Sequence, residues 1–223
     1  LGSIEKSRIT VIPCCADYNH FPLSTDAHKI DARISLGIPT DAFVLGYLGS
    51  IGRMYLLDRF LHLFKLAVNA RKNCHAMLIT RDTSALKQLM KAHLTPELSS
   101  RVHVKSASRD EVPVFLPAID VMVSFILSTY ARTGASPTKM AECFASGIPV
   151  IANPGVGDVK QVVAQIDGGC VVDPFSDADL MEVVENLDQI CSKGGLRLRD
   201  ASRSILGLEY ATQCYKSVYD KLV

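Results

Sequence analysis

Residues 136–158 read SPTKMAECFASGIPVIANPGVGD, a polar start, an apolar helical pattern, a glycine, a short β-branched run and a second glycine-rich turn. That order describes a helix feeding a buried strand, with a loop beyond it. Ser136 followed by Pro137 reads as an N-cap and a proline at the first helical position. Met140 and Phe144 fall four apart on a core-facing side, while Thr138 and Glu142 share another face. Gly147 stands where a helix end takes a left-handed residue. Pro149–Ala152 is short and wholly apolar, as a strand covered on both faces should be.

The same alternation extends to both sides. Further apolar runs occur at Phe43–Leu48, Ala76–Thr80, Val102–Val104, Val121–Ile126 and Cys170–Val172. Helical patterns lie between them at Leu56–Asn69, Thr83–His93, Arg109–Ala118, Pro137–Ser146 and Asp177–Ile190. Strand and helix in repeated alternation predict right-handed crossovers and an α/β, Rossmann-like, doubly wound parallel sheet. Ser108 and Glu111 form a Ser-x-x-Glu capping box. Leu208, Ala211, Tyr215, Val218 and Leu222 recur at helical spacing, which predicts an amphipathic closing helix over 208–223. No internal repeat, low-complexity segment or linker interrupts the chain, so residues 1–223 read as one domain, with 1–22 as a hinge segment.

Composition narrows the function. The 223 residues carry Lys+Arg 24 against Asp+Glu 23, a formal charge of +1, with the basic residues scattered. A nucleic-acid-binding chain should concentrate them on one face. Hydrophobic content of 48% against 21% charged residues excludes disorder. No apolar run approaches the ~20 residues that span a bilayer, and no secretory segment opens the chain. The seven cysteines include no CxxC pair and no Cys/His cluster at zinc spacing, which implies a reduced, cytoplasmic compartment.

In a doubly wound sheet, ligands bind beyond the carboxyl ends of the strands. Three loops leave strands there. Gly49-Ser50-Ile51-Gly52-Arg53 allows close backbone approach, and Arg53 could reach a phosphate; the bland reading is a tight turn. Ser136–Glu142 presents the amides of Thr138, Lys139 and Met140 at a helix start, together with a lysine, which makes an anion site. One helical turn on, roughly 6 Å along the axis, Glu142 stands where a carboxylate could pair with ribose hydroxyls. The bland reading there is an exposed Lys139–Glu142 pair. Asn153–Asp158 offers two glycines and an acid to sugar hydroxyls, or is only a turn. Asp177-Ala178-Asp179 matches an Asp-x-Asp metal pattern but follows Ser176 at a helix start, where acids answer the dipole, so no metal site is assigned. Cys14-Cys15 has no second pair, and the six histidines show no His-x-x-x-His spacing.

These loops, in this order, resemble the carboxyl-terminal half of a GT-B glycosyltransferase, in the large retaining family that includes sucrose synthase (family four, glycosyl transferases group 1). The likeness is carried by VIPCCADYNHF, FVLGYLGSIG, the 136–158 stretch and the terminal EYATQCYKSVYDKL, and covers essentially the whole chain. It implies that Glu142 holds the donor's ribose, that the loop Ser136 to Lys139 binds the diphosphate and sugar, and that Gly49 belongs to the first phosphate loop. It places Arg109 to Val112 near the base. The family's first acid falls on Gly134, and its usual Arg and Lys fall on Ser50 and Tyr55, so Lys139 stands as the replacement charge.

The resemblance also implies the function. The expected activity is transfer of a sugar from a UDP- or GDP-linked donor to a saccharide or lipid-linked acceptor in polysaccharide biosynthesis, without a metal or other cofactor. The amino-terminal acceptor domain, which would hold the catalytic residues, is the expected partner. The location implied is the cytoplasm, with peripheral membrane contact through that domain. The rival readings are half of a nucleotide-sugar 2-epimerase and a non-catalytic nucleotide-sugar-binding module.

Overall fold

Two runs of three parallel strands meet at the centre of a single sheet, in the order β3-β2-β1-β4-β5-β6. The computed structural model describes Glu5 and residues 8–221. Along the chain lie α1 (Asp26–Leu36), β1 (Phe43–Leu48), α2 (Leu57–Ala70), β2 (Cys74–Ile79), α3 (Thr83–His93), α4 (Pro96–Ser99), β3 (Val102–Lys105) and α5 (Val112–Phe115). There follow β4 (Val121–Ser124), α6 (Thr138–Ala145), β5 (Val150–Ala152), α7 (Val159–Ile166), β6 (Gly169–Val171), α8 (Asp177–Glu185), α9 (Leu187–Ser192), α10 (Gly195–Leu206) and α11 (Leu208–Tyr219). All five strand pairs are parallel. The doubly wound α/β expectation is met, with the order reversal between β1 and β4.

The strands are apolar on both faces because both faces are covered. Val44, Met77, Met122 and Val150 pack with Met140, Phe144 and Val163 of α6 and α7, and with Leu198 of α10. Leu45, Leu78, Val123 and Ile151 face Phe60 and Phe64 of α2 and Leu180 of α8. Asp120, just before β4, accepts from Arg33 (2.7 Å) and from the Val44 amide (2.7 Å) and pairs with Lys29, which fastens α1 to the sheet.

Several boundaries differ from the sequence reading, each for a local reason. The helix expected over Arg109–Ala118 is only α5 plus a 3-10 turn at Leu116–Ala118, since Pro113 and Pro117 remove amide donors from a longer ladder. The expected Asp177–Ile190 helix breaks at Asn186 into α8 and α9. The strand expected to reach Ile126 stops at Ser124. Beyond it the Asn153 side chain binds the Ile126 amide (2.7 Å) and carbonyl (2.9 Å), taking the place of a neighbouring strand. Half of the capping box forms: Glu111 accepts from the Ser108 amide (2.8 Å), but the Ser108 hydroxyl donates to that same carboxylate. Helices α1, α4, α7 and α10 fall outside the helical patterns read from the sequence. Leu222, assigned to the closing helix, lies outside the described residues.

Ala16, Tyr18 and Phe21 of the hinge segment belong to the core. Tyr18 and Phe21 are fully buried, and the Tyr18 hydroxyl bonds to Ser202 at 2.8 Å. Arg199 of α10 donates to the carbonyls of Tyr18 and Phe21, both at 2.6 Å.

Candidate functional site

The carboxyl ends of β1 and β4 open at the order reversal, and the Gly49–Arg53 loop and the front of α6 meet there. Helix α6 begins at Thr138, with Pro137 in the capping position and no side-chain cap. Ser136 is therefore not the N-cap the sequence suggested. Its hydroxyl accepts from the Cys14 amide at 3.0 Å and donates to Asp158 at 3.3 Å, which ties three segments together in front of the helix. The Met140 amide is taken by the Pro137 carbonyl (3.0 Å), so the amides of Thr138 and Lys139 are the ones left to a ligand.

Lys139 turns toward β1. A Cβ built on Gly49 would lie 2.4 Å from its Nζ, and Gly49 has φ +153, so only glycine leaves room for the ammonium here. The same Nζ lies 5.2 Å from the centre of the Tyr55 ring, in cation–π geometry. Burial lowers the Lys139 pKa, and Glu142 opposes the shift. A half-buried ammonium beside a glycine and a helix start is poised for an anion.

Glu142, the next turn along, diverges from Lys139, so the exposed pair of the bland reading does not form. It is 8% exposed and faces Arg109, with Nη2–Oε1 at 3.9 Å. Burial raises its pKa, against the charges of Arg109, Lys139 and His20. Arg109 is itself mostly exposed, and the His20 ring lies 3.4 Å from its carbonyl. Val112 is buried at the start of α5. Arg109, from the turn before α5, thus meets Glu142 of α6, and Val112 opens the helix that follows Arg109.

The first loop is less open than expected. The Ile51 amide is held by the Asp82 carboxylate at 2.7 Å, the Gly49 amide by the Ile79 carbonyl at 3.0 Å, and the Ser50 carbonyl by the Tyr47 hydroxyl at 2.6 Å. Ser50 and Arg53 point to solvent, and Arg53 does not line the cavity at the strand ends. In the third loop Asn153 is buried and spent on Ile126. Asp177 pairs with His62 at 2.8 Å, and Ser176 caps α8 through the Asp179 amide at 3.2 Å.

A cavity of about 230 Å³ lies between the two strand ends. Its floor includes Leu48, Met122 and Phe125, and Tyr55, Arg132 and Lys139 stand among its walls. Arg132 escaped the sequence reading because it sits in an irregular loop, where no periodicity marks the direction of a side chain. Tyr55 was noticed only as a missing lysine, yet its ring supports Lys139.

WaaG, a glycosyltransferase involved in lipopolysaccharide biosynthesis, superposes over 96% of this chain and 56% of its own, with TM-score 0.70 and 19% identity. HepE (Alr3699) of Anabaena, in complex with UDP-glucose, matches over 92% of this chain and 56% of its own, with TM-score 0.71 and 16% identity. The C-terminal domain of LpcC, a glycosyl transferase group 1 family protein of Francisella tularensis, matches over 90% of this chain and 98% of its own, with TM-score 0.59 and 20% identity. The chain spans a little over half of WaaG and HepE, but nearly all of the LpcC domain. No curated protein matches in sequence. The family model for glycosyl transferases group 1 matches residues 42–189, more than half of the chain. With the GT-B fold of its neighbours behind it, this chain belongs to the glycosyl transferases group 1 family.

Proposed function

We propose that this domain holds the nucleotide diphosphate sugar of a glycosyltransferase, a UDP- or GDP-linked donor, for transfer to a saccharide or lipid-linked acceptor. The observation that carries the reading is the convergence of Gly49, Lys139 and the free amides of α6 at the reversal between β1 and β4. The diphosphate lies over Lys139 and the amides of Thr138 and Lys139. The ribose hydroxyls donate to Glu142, and the base rests toward Arg109 and Val112. As the sugar leaves, negative charge grows on the outer phosphate, where a fixed ammonium and fixed amides stabilise it at little reorganisation cost. HepE, with UDP-glucose bound, supports a sugar nucleotide as the ligand.

The span of the chain on WaaG and HepE supports an amino-terminal partner domain that supplies the acceptor site. Without it the sugar is not shielded from water or brought to an acceptor, so the isolated chain binds donor but does not turn it over. Among the described residues no helix is long and apolar enough to cross a membrane. We place the working enzyme in the cytoplasm, meeting the membrane through the partner domain.

A thermal-shift panel of UDP, GDP, their monophosphates and their sugar conjugates tests this. A ligand at ~100 times its Kd stabilises by about 2.7 kcal/mol, roughly 5–10 °C for a domain of this size. Diphosphates should stabilise and monophosphates much less. No shift with any nucleotide overturns the reading. Epimerised sugar and free nucleotide formed without acceptor would assign the chain to a 2-epimerase.

A further inference from the structure

The cavity beside Lys139 contains a second cation that has no partner among the described residues. Among its lining residues are Arg132 and Lys139 and no carboxylate. The Arg132 guanidinium makes no hydrogen bond or ion pair with any described residue, whereas its backbone is firmly held. Its carbonyl accepts from the Ala135 amide at 3.1 Å and from the Gly157 amide at 2.8 Å. The second bond interlocks two loops: Gly157 has φ +43, and a Cβ there would lie 1.5 Å from the Ala135 carbonyl oxygen. A half-buried guanidinium on a fixed backbone, in a small cavity that already holds an ammonium, is repelled by its neighbour and has no internal acid to answer it.

We infer that Arg132 is the second positive contact of the donor's outer phosphate, so that this phosphate is held between Arg132 from the β4–α6 loop and Lys139 from α6. The assignment rests on the donor-binding reading above and adds a residue that the resemblance did not supply. A guanidinium presents a planar fork suited to two phosphate oxygens, whereas the ammonium acts as a point charge. The two cations therefore differ in role: Lys139 attracts the phosphate and Arg132 fixes its orientation. The apolar floor of Leu48, Met122 and Phe125 keeps the local dielectric low and strengthens both contacts.

The test is calorimetric titration of wild type, Arg132→Gln, Arg132→Lys and Lys139→Met with UDP, GDP and the matching monophosphates, plus competition by pyrophosphate. The Arg132 side chain holds nothing in the fold, so both variants should melt with the wild type. Arg132→Gln should weaken diphosphate binding at least about tenfold, the scale of a lost charge-assisted hydrogen bond, and leave monophosphate binding nearly unchanged. Arg132→Lys should recover only part of the loss, because the fork is gone. Pyrophosphate should displace the nucleoside diphosphate from wild type better than from Arg132→Gln. Unchanged diphosphate affinity in Arg132→Gln, or equal losses for diphosphate and monophosphate, would overturn the inference. If Lys139→Met weakens binding while Arg132→Gln does not, the donor site stands and the second cation falls. If wild type binds no nucleotide, both fall together.

Discussion

Replacing Glu142 with glutamine should move nucleotide affinity and protein stability in opposite directions. The carboxylate is 8% exposed, and its closest cation is the mostly exposed Arg109 at 3.9 Å. Its pKa is raised, chiefly by burial. In the window between the unfolded and the raised folded pKa, the native state binds more protons than the unfolded chain. Stability therefore falls as pH rises through that window, and at neutral pH the charge is a net cost. An ion pair to an exposed partner returns only about 0–1 kcal/mol, which does not offset the desolvation that raises the Glu142 pKa. Glu142→Gln should accordingly raise Tm by roughly 2–4 °C, the shift that about 1 kcal/mol gives in a domain of this size. If the carboxylate accepts from ribose hydroxyls, the same change removes hydrogen bonds to a charged group, about 1.5–3 kcal/mol, or roughly 10- to 150-fold in Kd. Calorimetric titration with UDP and GDP measures the affinity, and a thermal melt without ligand measures the stability. A 2′,3′-dideoxy nucleotide should bind wild type as weakly as the normal nucleotide binds the variant, with no further loss on the variant. A lower Tm with unchanged affinity would refute the argument and make Glu142 a structural residue paired with Arg109.

Gly49→Ala should weaken diphosphate binding toward the level of Lys139→Met, because the new methyl takes the place of the lysine ammonium; a melt should show a loss of about 1–3 kcal/mol from the forced backbone angle, and full diphosphate affinity would contradict the proximity argument. Lys139→Met should cost diphosphate binding far more than monophosphate binding, and the gap should narrow as salt rises. Burial lowers the Lys139 pKa, so its charge is present below that value and lost as pH rises through it. Wild-type diphosphate affinity should then decline at a pH below the ordinary lysine range, and Lys139→Arg should carry binding to higher pH; a profile flat up to that range would count against this. Asn153→Ala should destabilise by about 2 kcal/mol or more, since the Ile126 amide and carbonyl both lose their partner, while nucleotide affinity at low temperature changes little.

The fold was legible because burial on both faces writes the strands as uninterrupted apolar runs, and the 136–158 stretch holds helix, turn and strand in order. Strand ends were harder to read. Val121–Ile126 is apolar but for Ser124, and its last two residues leave the sheet because the Asn153 side chain, twenty-seven residues on, and the backbone of residues 54–56 take their hydrogen bonds. Helix α10 begins at a glycine and buries Leu198 and Leu206 with a serine, Ser202, between them, so periodicity alone hid it. In the site, Gly49, Lys139 and Glu142 were reachable from spacing and resemblance. The direction of each side chain was not: one turn of α6 sends Lys139 to Tyr55 and Glu142 to Arg109, and a linear pattern cannot separate those two outcomes. Ser136 misled for a related reason. A serine before a proline reads as a cap unless one knows that Cys14 and Asp158 already claim its hydroxyl.

That hydroxyl also works as a mechanical coupling. The Cys14 amide hangs on Ser136, and Arg199 grips the carbonyls of Tyr18 and Phe21 a few residues later. The incoming chain is thus held at the mouth of the cavity, at Ala16 by backbone bonds with Leu206 and Leu208, and again beside the end of α6. The inner mooring is buried and multiply bonded, whereas the outer one is a single exposed bond. The segment that enters the domain therefore shares a bond with the turn just ahead of the Thr138 and Lys139 amides.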